Sequence, residues 1–143
     1  MLFRSNLRNE LITLKGWELV DEIGFVGRKE ISEILGKTRI GMVTLLPTRA
    51  YVDSLPIKMF EYMAAGIPVI ASNFPIWMEI IEKHMCGICV DPSNPQAIAE
   101  AVQYLMLHPE EAQSMGENGR KASLECYNWQ IEAQKLTEFY RML

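Results

Sequence analysis

The chain has 143 residues, 49% of them hydrophobic and 22% charged, which suits one soluble domain around a single core. A formal net charge of -4 leaves no basic field to gather nucleic acid, so no nucleic-acid partner is expected. The opening apolar run is too short for a signal peptide, and no stretch approaches the roughly 18 apolar residues of a membrane span, so the expected location is cytoplasmic.

In chain order, Leu7 to Lys15 carries Leu7, Leu11, Ile12 and Leu14 as a short amphipathic helix, with Gly16 as its stop. Ile23-Gly-Phe-Val26 reads as a strand closed by Gly27, and Lys29 to Lys37 as a helix on Ile31, Ile34 and Leu35. Arg39 to Leu46 is nearly all apolar and ends at Pro47. Such a run predicts a strand buried on both faces, as a parallel sheet covered by helices requires. The next helix is predicted over Ile57 to Ala65, opened by Pro56 and stopped by Gly66. Pro68 to Ala71 follows as a buried strand, then a helix over Pro75 to Lys83 with Trp77, Ile80 and Ile81 inward. Gly87 to Val90 is the last strand, and the turn from Asp91 to Pro95 caps a helix over Gln96 to Leu107. A helix from Pro109 to about Cys126 and a final amphipathic one after Tyr127-Asn-Trp129 complete the chain.

Strands alternating with helices give an α/β class, a doubly wound, Rossmann-like parallel sheet with carboxy-terminal helices. Ligands of such sheets lie outside the carboxyl ends of the strands. The loops at Gly27-Arg28, Pro47 to Leu55, Ser72 to Pro75 and Asp91 to Asn94 are therefore the ones to watch. Cys86 and Cys89 form a C-x2-C pair, open to redox chemistry or half a zinc site. Core packing is the stronger reading, because no second pair completes a tetrahedron, and no metal is expected.

The densest chemistry lies in Asp53-Ser-Leu-Pro-Ile-Lys-Met-Phe-Glu61. A helix start with free amides at Ser54, Leu55, Ile57 and Lys58 carries about half a positive charge and suits a diphosphate. Glu61, inside the helix, can accept hydrogen bonds from two vicinal hydroxyls. The alternative is a plain helix cap by Asp53 or Ser54 beside a solvated Glu61.

The run from Asp53 through Glu61 and on to Tyr-Met-Ala-Ala-Gly-Ile-Pro-Val-Ile resembles the E-x7-E region of the retaining glycosyltransferases of family 4, which adopt the two-domain GT-B fold. Ser54-Leu-Pro-Ile-Lys-Met-Phe-Glu-Tyr-Met63 is similar to a bacterial surface-polysaccharide subset. Phe25-Val-Gly27, the strand ending at Pro47, Cys86-Gly-Ile-Cys-Val-Asp-Pro92, Met115-Gly-Glu-Asn-Gly-Arg120 and Tyr127-Asn-Trp129 extend the likeness along nearly the whole chain.

The resemblance implies the donor-binding portion of an enzyme that transfers a hexose from a nucleotide-diphospho-sugar to a saccharide or lipid-linked acceptor. Glu61 would bind the ribose and Asp53, where the family usually has Glu, would contact the transferred sugar. The amides of Ser54, Leu55, Ile57 and Lys58 would hold the diphosphate, and the Gly27-Arg28 turn would border the base. No cofactor or metal is needed, the nucleotide sugar being a substrate. The resemblance further implies a single donor domain over residues 1–143. It would lack its opening strand-helix-strand segment and the amino-terminal acceptor domain, and would be inactive in transfer by itself. The partner would be that amino-terminal half, or a second copy through the last helix, with the complete enzyme cytoplasmic or membrane-peripheral. A non-catalytic nucleotide-sugar- or partner-binding subunit and a fragment of a GT-B sugar epimerase are the alternatives. His84 and His108 sit near helix ends, Arg28 and Arg49 lie on the expected ligand edge and read as surface residues with partial phosphate grips as the alternative, and Gly116 and Gly119 follow no strand and so form no phosphate loop. Trp17, Trp77 and Trp129 read as core or domain-edge packing.

Overall fold

The computed structural model describes residues 2–142, which divide after Ile31 into two compact units. The first holds α1 (Leu2–Leu11), a 3-10 turn (Lys15–Leu19) and the start of α2 (Arg28–Leu35). The helix expected over Leu7 to Lys15 thus lies earlier, and Gly16 sits inside the 3-10 turn. Ile23 to Val26 forms no strand. A strand needs a neighbouring backbone to take its N–H and C=O groups, and apolar side chains alone do not supply one. Gly24, at φ +75°, also turns the chain in the middle of the run, and Ile23 and Phe25 are exposed. Across this unit Arg8 donates to the Glu22 carboxylate at 2.8 Å, an exposed pair that salt screens.

The second unit is built on three parallel strands, β1 (Gly41–Val43), β2 (Val69–Ser72) and β3 (Gly87–Val90), in the order β1-β2-β3. Gly41 pairs with Val69, and Val69 with Gly87. Between and after them come α3 (Arg49–Val52), α4 (Ile57–Ala65), α5 (Pro75–His84), α6 (Pro95–Leu107), α7 (Pro109–Glu125) and α8 (Trp129–Arg141). All four residues of β2 are buried, and their alternation divides the core in two. Val69 and Ala71 join Met59 and Met63 of α4, Trp77, Ile80 and Ile81 of α5, and Ala122 of α7. Ile70 joins Val90 with Ala101 and Leu105 of α6, and Ala112 and Met115 of α7 pack beside them. Helices therefore cover both faces of the sheet, the doubly wound arrangement expected from the alternating pattern. The apolar run from Arg39 to Leu46 pairs only over Gly41 to Val43, and Met42 is 40% exposed, so β1 is covered on one face alone.

Two glycines of α7 explain its position. A Cβ on Gly116 would collide with the carbonyl of Gly66, and one on Gly119 would press on Cys86 Cβ at 3.3 Å and Met63 Cα at 3.4 Å. The helix thus lies backbone against backbone on the tail of α4. Gly66 closes that tail in the left-handed region, at φ +74°. Its N–H bonds Met63 O at 3.0 Å, and the Ile67 N–H bonds Tyr62 O at 2.9 Å, which satisfies the last carbonyls of the helix.

Candidate functional site

The head of α4 lies just beyond α3, a short helix in a stretch expected to be loop throughout. Pro56 (φ -76°, ψ 124°) stands immediately before the first helical residue, and no side chain caps the helix. The capping alternative is thereby corrected. Ser54 Oγ donates backward to Tyr51 O at 3.0 Å, and Asp53 closes α3 with φ -100° and ψ 7°. The Ser54 N–H also bonds Tyr51 O, at 3.1 Å, so it is not among the free amides expected at this helix start.

Asp53, Leu55, Ile57, Lys58 and Glu61 are exposed, Ser54 is half-buried, and Met59 and Met63 anchor the opposite side of the helix in the core. The amphipathicity of α4 therefore presents Glu61 to solvent, while Asp53 is exposed at the end of α3. Glu61 lies one turn inside the helix, next to Tyr62, whose ring covers Gly41. Burial first, and the Glu61 charge second, push the Tyr62 phenol above its ordinary range. Gly27 and Arg28 belong to the first unit. They are exposed and open α2, where Gly27 O accepts the Ile31 N–H at 3.0 Å.

The loop after β3 is occupied by its own hydrogen bonds. Asp91 Oδ1 accepts from the Ser93 N–H at 2.8 Å and its hydroxyl at 2.6 Å, which hold the Asp91 carboxyl below its usual range. Asn94 Oδ1 caps α6 through the N–H groups of Gln96 and Ala97. The head of α4 carries no comparable cap.

Beside that head runs an open apolar groove of about 700 Å³, lined by Leu55, Ile57, Phe60, Tyr127, Asn128, Trp129 and Glu132. Trp129, expected in core or domain-edge packing, is 76% exposed on the groove wall and so is not a core residue. The signal was present in Leu55, Ile57 and Phe60, which exceed what one buried helix stripe needs. The Tyr127 ring packs tilted against Phe60 with centroids 5.1 Å apart, and its hydroxyl lies 3.0 Å from His84 Nε2. His108, between α6 and α7, stacks on Tyr104 instead. Cys86 is fully buried and Cys89 partly so, both against the same core cluster. Burial pushes their thiols up to about 11 and about 12.

Residues 4–122 match the family Glycosyl transferases group 1. The chain is 30% identical over 128 residues to a GDP-mannose-dependent alpha-(1-6)-phosphatidylinositol monomannoside mannosyltransferase of Mycobacterium tuberculosis, covering 86% of this chain and 33% of that protein. It is 26% identical over 132 residues to a D-inositol 3-phosphate glycosyltransferase of Corynebacterium urealyticum, covering 88% and 30%. Among solved structures, sucrose-phosphate synthase from Thermosynechococcus elongatus superposes with a TM-score of 0.75 at 26% identity, over 94% of this chain and 33% of that one. The chain thus spans about a third of the length of these relatives. Sequence and architecture agree, and the chain belongs to the glycosyl transferases group 1 family.

Proposed function

We propose that this chain binds the donor of a retaining glycosyltransferase, a nucleotide-diphospho-hexose, at the head of α4. The observation that carries it is an uncapped helix start framed by two exposed carboxylates, Asp53 and Glu61. The amides of Leu55, Ile57 and Lys58, with the positive end of the helix, offset the charge of a diphosphate. As the bond from sugar to diphosphate breaks, that charge grows, so the same groups stabilise the transition state more than the ground state. Glu61 accepts hydrogen bonds from the ribose hydroxyls, and Asp53 faces the hexose. Ser54 and Lys58 border the diphosphate cradle. This chemistry calls for no metal, because helix end and amides neutralise the leaving group. A surface-polysaccharide or lipid-linked saccharide acceptor is the product side of the proposal. The partner is an amino-terminal half or a second copy meeting α8, whose residues are nowhere buried.

A thermal-shift panel of UDP-, GDP- and ADP-sugars tests the donor site, with GDP-mannose included because a relative bears that name. Donor at about 100 times its Kd adds about 2.7 kcal/mol, a shift of several degrees. The expected result is a shift with one nucleotide that Glu61→Ala abolishes. A shift that survives Glu61→Ala would place the ligand elsewhere.

A further inference from the structure

We infer that Trp77 is a positioning residue that fixes the backbone on which Asp53 is presented, with Ser72 as its counterpart at the other end of the same loop. The inference rests on the donor-site reading for its functional meaning, while its geometry stands independently. Trp77, on α5, is fully buried, and its indole N–H donates to the carbonyl of Ser54. Ser72, at the end of β2, is also fully buried, and its hydroxyl donates to Leu45 O at 2.8 Å. Both are polar groups inside an apolar core, where an unmade hydrogen bond is expensive. Both are satisfied by the main chain of the segment running from the end of β1 to the head of α4.

Apolar contacts reinforce the two bonds. Leu45 and Val52 pack against the core cluster that contains Trp77, and the Phe74 ring lies tilted against the Trp77 ring with centroids 4.7 Å apart. Asp53 therefore stands between an anchored Val52 and a carbonyl-tethered Ser54. Its own side chain remains exposed. A carboxylate that must meet one sugar hydroxyl gains from such a tether, because backbone disorder at its root would blur the contact. Trp at this place serves as more than core filler: a phenylalanine would fill much of the volume and leave the Ser54 carbonyl without its donor.

The test is hydrogen exchange on the 143-residue chain, comparing wild type, Trp77→Phe and Ser72→Ala. Loss of either bond should accelerate exchange in residues 46–56 by about tenfold, beyond any change in β2 and β3. Unchanged exchange in residues 46–56, or acceleration only in proportion to that of β2 and β3, would overturn the inference. Ser72→Ala removes a single hydroxyl and keeps the test decisive should Trp77→Phe fail to fold. In parallel, titration with the nucleotide sugar that binds wild type should show weakening of about tenfold in each variant. Should wild type bind no nucleotide sugar while residues 46–56 loosen as expected, the donor-site reading fails and the tether stands.

Discussion

His84 meets two opposing demands. Its ring is partly buried against Tyr127, and Lys83 adds a like charge, so burial first and Lys83 second hold its pKa below the usual histidine range. A lowered folded pKa means that the unfolded chain binds the proton more readily. Stability is therefore full above the ordinary histidine pKa and declines as pH falls through that value toward the folded one. Melting curves between about pH 7 and about pH 5 should show wild type losing more Tm than His84→Gln. Parallel curves would mean that the ring is solvated in both protonation states. Met85, the next residue, occupies the left-handed region at φ +48°, a conformation that costs a non-glycine residue about 1 kcal/mol. It closes α5 as Gly66 closes α4, with the Cys86 N–H reaching Ile81 O at 3.2 Å.

The tail of α4 depends on what its neighbour lacks. Gly116→Ala would gain about 1 kcal/mol of helix propensity and still destabilise the fold, by about 2 kcal/mol net, because the new methyl meets the Gly66 carbonyl. Chemical denaturation should show that loss, and exposed Ser114→Ala on the same helix should stay within about 0.5 kcal/mol of wild type. The sequence alone located α4 to the residue at both ends and α5 to within one, since Pro and Gly punctuate a strong period there. It failed at Ile23 to Val26, where composition is right for a strand but pairing is absent. It also reduced Gly116 and Gly119 to what they are not. Close approach of two backbones leaves no periodic trace in one sequence, because the partner, Gly66, lies 50 positions away. The carboxylates of the candidate site were legible through their spacing. The Trp77 and Ser72 tethers were not, since each joins residues distant in sequence.

No helix among the described residues is long and apolar enough to cross a membrane. What α8 does carry is an apolar stripe, with Trp129, Leu136, Phe139 and Tyr140 all more than half exposed. A 13-residue helix is marginal in water without a packing partner, so the stripe favours association. Light scattering should show mass rising with concentration, and the double variant Leu136→Glu, Phe139→Glu should abolish the rise. A constant monomer mass in the wild type would count against a second copy as the partner. Within the second unit, α7 has a different role. Its early residues Ala112 and Met115 border one core cluster, and Ala122 belongs to the other, on the opposite side of the sheet. Two cores separated by a sheet could in principle melt one after the other. A single helix rooted in both denies them that independence, so the layers on either side of β2 share one unfolding transition.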